Sequence, residues 1–163
     1  MNLPRIKDIV IRETTETPLE RPVAVLKTGK GDHGHRFSIT GWNPFLTIRG
    51  KGEAFTLLKE VFGEYAGAIG ARQAMPPLPF SGGAIVALSY DLKNEFESLP
   101  HLARDDLRLP DVAALFCRDY LVVHEHTQRS WRIEVVVESP SPPLCKGREG
   151  WGRGCTMLLF QYA

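Results

Sequence analysis

Residues 112–124 have the sequence VAALFCRDYLVVH, and residues 131–138 have the sequence WRIEVVVE. Both segments have the largely apolar composition of strands. The polar residues Thr127-Gln128-Arg129 lie between them and favour a turn. We therefore predict a hairpin at this position. Consecutive strands joined in this way favour an antiparallel sheet over an alternation of strands and helices.

Five segments upstream of this hairpin also have the pattern of strands. They are residues 6–11, 22–27, 36–40, 44–49 and 84–90. In residues 36–40, Phe37 and Ile39 alternate with Arg36 and Ser38, as expected for a strand with one buried face. Residues 84–90 are almost entirely apolar, which predicts burial on both faces.

Residues 54–69 form the one clear helical pattern. Their apolar residues recur at spacings of three and four, which places them on one stripe: Phe55, Leu58, Val61, Phe62, Tyr65 and Ile69. A shorter helix is expected from Asp91 to Glu97, with the Asp91 carboxylate capping its first turn. The predicted fold class is α+β, with a mostly antiparallel, sandwich-like β-sheet, one main amphipathic helix and short helices.

The character of the sequence changes after Glu138. Residues 139–163 are dense in Pro, Gly and Arg and have no apolar period, apart from an apolar end at residues 157–162. We expect one domain over residues 1–138 and a disordered tail over residues 139–163. A change this abrupt suits a frameshift or an inserted element.

The composition argues against several classes of function. Twenty basic and nineteen acidic residues leave a net charge of +1, which is not the signature of a nucleic-acid or anionic-membrane surface. We find neither an apolar run of the roughly 18 residues that a membrane span needs nor an apolar secretory signal near Met1, so we expect a cytoplasmic protein without a membrane partner. Cys117, Cys145 and Cys155 are too few and too scattered for a disulfide framework.

Two clusters allow both a chemical and a structural interpretation. His124-Glu125-His126 could chelate a metal through imidazoles on one strand face, or could be the solvated end of a hairpin; the second interpretation is favoured because no third ligand is evident. The same holds for His33-Gly34-His35. Asp91 and Glu97 could form an acid–base pair, but a helix cap and a structural ion pair are favoured. We therefore predict neither a catalytic residue nor a metal site in this chain.

Three stretches, in this order, resemble the amino-terminal domain of the component I enzymes that use chorismate, the anthranilate synthases and aminodeoxychorismate (p-aminobenzoate) synthases. The first comprises Val25-Leu26-Lys27-Thr28, Arg36-Phe37-Ser38-Ile39 and the Gly41-Trp42-Asn43-Pro44 turn. The second comprises Pro79-Phe80, Gly82-Gly83, Ser89-Tyr90-Asp91-Leu92 and Glu97 to Pro100. The third is Leu109-Pro110-Asp111 with the strands that end in Trp131. Together they cover about residues 20–138. The second stretch is slightly more similar to the aminodeoxychorismate branch.

The resemblance implies a non-catalytic part of such an enzyme. In the family, chorismate and Mg²⁺ are held by a carboxy-terminal domain, which the chain does not include, and a glutamine amidotransferase supplies ammonia. The amino-terminal domain packs against that domain and in many members helps to bind tryptophan. Carried over to this sequence, a tryptophan-like site would use Thr28, Arg36 and Ser38. Lys27 stands where the family often has an acid, and Thr28 stands where it has serine.

Three hypotheses follow from the resemblance. The leading one is a truncated aminodeoxychorismate synthase component I, acting towards p-aminobenzoate and folate, with the anthranilate (tryptophan) branch as its alternative. The second is a split enzyme, in which this chain docks a separate chorismate-binding chain. The third is a free-standing amino-acid-binding module. In the first two cases a surface normally covered by the chorismate-binding domain should be apolar.

Overall fold

The computed structural model describes residues 3–16, 21–27, 36–70, 78–98 and 107–138. Its elements, in chain order, are β1 (Ile6–Thr14), β2 (Ala24–Lys27), β3 (Phe37–Gly50), α1 (Ala54–Gly70), β4 (Ala84–Leu88), a 3₁₀ helix (Tyr90–Glu95), β5 (Val112–His124) and β6 (Ser130–Val137). Within the described residues, none of the helices has the length and apolarity needed to cross a membrane.

All six strands belong to one antiparallel sheet in the order β1-β6-β5-β3-β2, with β4 beside β5. β5 is the central strand: β3 pairs with it from Phe37 to Gly50 on one side. On its other side β6 pairs with its second half and β4 with its first half. The α+β prediction is confirmed. The described strands form a single sheet with α1 as the second layer.

β3 is longer than the sequence pattern predicted. The segments predicted at residues 36–40 and 44–49 belong to one continuous strand, and the Gly-x-x-Pro motif lies inside it instead of forming a turn. The interruption is a β-bulge between Pro44 and Leu46, where Asn43 adopts a φ of 51°. A bulge bends a strand and keeps its pairing, which explains why the turn-like residues do not end the ladder.

α1 covers one face of the sheet. Its residues Leu58, Val61 and Tyr65 are buried against a core drawn from β1, β3, β5 and β6. The Tyr65 hydroxyl donates a hydrogen bond to the carbonyl of Pro4 (2.9 Å), so the helix also holds the residues that precede β1. The predicted apolar stripe is therefore correct for the buried residues, whereas Phe62 is 37% exposed.

The β4 region differs from prediction in two details. β4 pairs with β5 alone among the described residues, and only Ile85 in it is buried, so it is an edge strand and is not covered on both faces. The short helix after it is capped by Ser89, whose hydroxyl accepts a hydrogen bond from the Asp91 N–H (2.9 Å). Serine is among the favoured residues at this position because its short side chain reaches the unpaired amides of the first turn.

Other predictions fall outside the described residues. These are the tail at residues 139–163, Thr28, and the His33-Gly34-His35 cluster.

Candidate functional site

The predicted ligand residues belong to the region where β2 and β3 lie side by side. Ser38 is half-buried in β3, and Arg36 immediately precedes that strand and is also half-buried. The Arg36 carbonyl accepts a hydrogen bond from the Glu125 N–H (2.8 Å), which fixes the start of β3 against the β5–β6 hairpin. Thr28 lies outside the described residues, directly after Lys27 at the end of β2.

Strand register determines which side chains meet at this site. Ser38 pairs with Lys27 of β2 and with Val123 of β5. Directly opposite residues of antiparallel strands have Cβ atoms about 4.5–5.5 Å apart on the same face. Lys27, Ser38 and Val123 therefore form one row, which we call the ligand row, on the sheet face opposite α1. The structure thus brings Ser38 beside Lys27 and places Arg36 two residues before Ser38, just ahead of β3.

The next row of this face supplies an apolar floor. It consists of Val25, Thr40 and Leu121, which are paired across β2, β3 and β5. Leu121 is buried, while Val25 and Thr40 are half-buried. The two rows together offer an ammonium group, two hydroxyls and aliphatic surface. Such a surface can bind a carboxylate next to an apolar group.

The described part of the site favours an anionic group over a cationic one. Lys27 is exposed and contributes a positive charge to the ligand row. The nearest acidic residue of the same face in β5 is Asp119, whose carboxylate accepts hydrogen bonds from Asn43 Nδ2 (2.8 Å) and Arg132 Nη2 (3.0 Å). Because this carboxylate is already paired, the arrangement suits the carboxylate of an amino acid better than its ammonium group.

The Asn43–Asp119–Arg132 group explains the bulge. Asn43 has a left-handed backbone conformation, which asparagine tolerates better than most residues. Its amide bonds Asp119, and Arg132 of β6 bonds the other oxygen of that carboxylate. The group thus ties β3, β5 and β6 together next to the candidate site. Sequence analysis missed it because its three members are far apart in the chain.

The histidine cluster is a hairpin end. His124 is 9% exposed, and its Nδ1 accepts a hydrogen bond from the Thr127 N–H (3.1 Å). Phe37 packs edge-on against its ring at 4.7 Å between centroids. His124 therefore caps the turn that follows β5. It lies at a hairpin end, as predicted, but it is buried and not solvated. Nowhere in the described residues do three histidine, cysteine, aspartate or glutamate side chains converge in a way that could hold a metal ion.

A second group of hydrogen bonds lies along β5, between the part that pairs with β4 and the part that pairs with β6. The Tyr120 hydroxyl accepts a hydrogen bond from the Cys117 N–H (2.7 Å) and donates one to the Gly83 carbonyl (2.6 Å). Gly82 and Gly83 have φ values of 126° and 123°, which only glycine adopts without strain. A Cβ on Gly82 would lie 3.2 Å from Ile9 Cδ1. The Phe-x-Gly-Gly motif is therefore structural in this chain.

Burial holds Cys117, Tyr65 and Tyr120 in their neutral forms. Burial raises the pKa of the Cys117 thiol to about 12 and that of Tyr65 to about 12. Burial likewise raises the pKa of Tyr120 far above its ordinary value. None of these three groups can serve as a base or nucleophile near neutral pH. They stabilise the fold.

Comparison with known proteins gives the family. No family model matches the chain. Anthranilate synthase component 1 of Acetivibrio thermocellus is 30% identical over 125 residues, which cover 66% of this chain and 24% of that protein. Aminodeoxychorismate synthase component 1 of Klebsiella aerogenes is 33% identical over 119 residues (64% of this chain, 26% of that protein). The same enzyme of Bacillus subtilis is 33% identical over 113 residues (61% and 24%).

The aligned part thus spans about a quarter of the length of each of these relatives. Both branches, anthranilate and aminodeoxychorismate synthases, are represented among them. The resemblance seen in the sequence motifs is confirmed, and the chain is a partial member of the family formed by anthranilate synthase component 1 and aminodeoxychorismate synthase component 1.

Proposed function

We propose that this chain is the non-catalytic amino-terminal part of an aminodeoxychorismate synthase component I. In this role it packs against a chorismate-binding domain, on the same or a separate chain, and supports the amination of chorismate towards p-aminobenzoate and folate. A glutamine amidotransferase would supply the ammonia. The observation that carries the proposal is the similarity to component 1 relatives over about two thirds of this chain.

The chemistry of the described residues supports a non-catalytic role. The buried Cys117, Tyr65 and Tyr120 are neutral and hydrogen-bonded or packed. Across the described strands and helices, no metal-binding group of acids, histidines and cysteines is formed. Chorismate and Mg²⁺ would therefore be bound by the partner domain, and this chain would contribute stability and a ligand site.

Complementation tests the proposal. A bacterial strain that lacks component 1 and requires p-aminobenzoate would receive this chain, the chorismate-binding part of the Klebsiella aerogenes relative, or both. We expect growth without p-aminobenzoate only when both are present. Growth with this chain alone would contradict the non-catalytic role. If this chain instead rescues a tryptophan-requiring strain together with the corresponding part of the Acetivibrio thermocellus relative, and does not rescue the first strain, the chain would be assigned to anthranilate synthesis.

The ligand row supports a second, narrower proposal. We infer that Thr28, Arg36 and Ser38 form part of a site for an amino acid such as tryptophan, with the ligand carboxylate near Lys27. Calorimetry of the complex with the chorismate-binding domain should then show tryptophan binding that weakens at least about tenfold, or 1.4 kcal/mol, in Lys27→Glu. Binding by the isolated chain would favour the amino-acid-binding module. No heat at millimolar tryptophan in either form would remove this proposal.

A further inference from the structure

An apolar cleft separates α1 from β4. The helix packs on β1, β3 and β5, and β4 lies to one side of it. The space between them is an open groove of about 510 Å³, lined by Phe62, Ala66, Ile69, Phe80, Gly82, Gly83 and Ala84. We call it the α1–β4 cleft. Among the described residues, its lining contains no charged side chain.

Aromatic contacts hold two of the residues that line the cleft. Phe80 packs edge-on against Tyr120, with 4.9 Å between ring centroids. Phe62 contacts the fully buried Phe116 at 5.4 Å between centroids. Because these rings hold one another, the groove is formed in advance of any partner.

Large apolar side chains of the two elements beside the cleft are exposed to solvent. Phe62, which lines the cleft, is 37% exposed, and Leu88 at the end of β4 is 45% exposed. Single exposed apolar residues are common on protein surfaces, whereas an apolar groove with an exposed ring in its lining indicates an interaction surface. The cleft therefore has the composition of a surface that becomes covered.

The open edge of β4 indicates what kind of partner covers it. Among the described strands β4 pairs only with β5, so its other edge offers backbone N–H and C=O groups. Edge strands are usually protected from pairing by charged residues. The outer strand β1 follows this rule with four charged residues, Lys7, Asp8, Arg12 and Glu13, whereas β4 has the sequence AIVAL.

We propose that the α1–β4 cleft receives an extended segment of the chorismate-binding domain, which adds a strand to the free edge of β4 and places alternate apolar side chains in the groove. A strand is favoured because an uncharged edge and an adjacent apolar groove are the two elements that strand addition uses. The matched relatives are about four times as long as the aligned region, so most of their chain is available as a partner for this surface. The inference rests on the proposed function.

Variants of two partly exposed residues, Phe62 of α1 and Leu88 of β4, test the inference. Phe62→Lys and Leu88→Lys would be measured for binding to the chorismate-binding part of the Klebsiella aerogenes relative. We expect the dissociation constant to rise at least tenfold in each. Val136→Lys is the matched control, since Val136 is 38% exposed on β6 outside the cleft, and it should bind as the unaltered chain does. Equal melting temperatures would establish that all three remain folded.

Hydrogen exchange measures strand addition directly. In the complex the amides of residues 84–88 should exchange more slowly than in the free chain, and those of residues 6–14 should not change. If the unaltered chain binds and both variants bind as tightly as it does, the cleft is not the docking site, and the proposed function stands. If the unaltered chain does not bind, both are overturned. If the chain instead forms a dimer that Phe62→Lys disrupts, the occupant is a second copy.

Discussion

At the residue scale, the hydroxyl of Tyr120 forms hydrogen bonds to two backbone groups where the partner strands of β5 change. β4 pairs with β5 only up to Phe116 and β6 only from Asp119, so Cys117 lies between the two ladders and its N–H donates a hydrogen bond to the Tyr120 hydroxyl (2.7 Å). The hydroxyl donates a hydrogen bond of its own to the Gly83 carbonyl (2.6 Å). A buried donor and a buried acceptor are thus satisfied by one oxygen atom, as buried polar groups require.

We predict that Tyr120→Phe destabilises the protein by about 1–3 kcal/mol, because the Cys117 N–H and the Gly83 carbonyl lose their partner inside the fold. Urea denaturation followed by circular dichroism measures the change. Tyr90→Phe is the control: Tyr90 is 79% exposed, and its replacement should change stability by less than about 0.5 kcal/mol. Equal effects of the two substitutions would contradict the role assigned to the Tyr120 hydroxyl.

A pH effect is expected from the contact between Glu13 and Arg129. Arg129 donates hydrogen bonds to both carboxylate oxygens (2.8 and 3.0 Å), which lowers the pKa of Glu13 below its ordinary value of 4.5. A lowered pKa in the folded state adds stability above pH 4.5, and this stability is lost as the pH falls through the folded-state pKa. The pair is exposed, so the effect should be small.

The measurement is the difference in unfolding midpoint between the unaltered chain and Glu13→Gln as a function of pH. We expect the difference to be constant near neutral pH and to shrink under acidic conditions. Parallel curves throughout would show that the ion pair does not contribute to stability.

At the scale of elements, the sequence predicts best where one pattern continues without interruption. β5 was predicted at residues 112–124 and is found at Val112–His124, because Pro110 and Asp111 precede an apolar run that a polar turn then ends. β3 was predicted as two strands, because Gly41 and Pro44 are turn residues. The bulge depends on Asp119 and Arg132, which meet Asn43 only in three dimensions.

In the candidate site, too, local sequence predicts some features, whereas others depend on contacts between distant parts of the chain. The motifs pointed to Arg36 and Ser38, which the structure places in one region. The position of Lys27 beside Ser38 and Val123 follows from strand register, which local sequence does not specify where both faces are mixed. The α1–β4 cleft was expected only as an apolar surface of unknown position, since exposure of Phe62 and Leu88 depends on where the helix crosses the sheet.

Two glycines should respond in opposite ways to substitution by alanine. A Cβ on Gly67 in α1 would have no atom within 4 Å, so Gly67→Ala should stabilise the protein by up to about 1 kcal/mol through helix propensity. A Cβ on Gly41 would lie 3.0 Å from Cys117 Sγ and 3.4 Å from Tyr120 Cδ1, so Gly41→Ala should destabilise it by about 1–3 kcal/mol. Thermal unfolding of both variants tests the two signs together. A stabilised Gly41→Ala would contradict the close packing of β3 on β5.

At the scale of the whole molecule, the end of the described sheet is tied to its beginning. β6 ends at Val137, and the Glu138 N–H donates a hydrogen bond to the Arg5 carbonyl (2.9 Å), with Lys7 forming an ion pair to the Glu138 carboxylate (3.2 Å). We therefore predict that deleting residues 139–163 changes the free energy of unfolding by less than about 0.5 kcal/mol. Denaturant unfolding of the shortened chain measures it. A loss above about 1 kcal/mol would show that this segment packs on the domain.

The pairing of β1 with β6 has a consequence for synthesis on the ribosome. Ile6 lies opposite Val137, so the first strand finds its partner only after nearly all of the described fold has been made. Until then β1 has no strand partner and its apolar side chains stay exposed. Contacts between residues so far apart in the sequence also form slowly. Folding of this domain is therefore expected to begin only after residue 137 has left the ribosome, and the nascent chain should depend on chaperones until then.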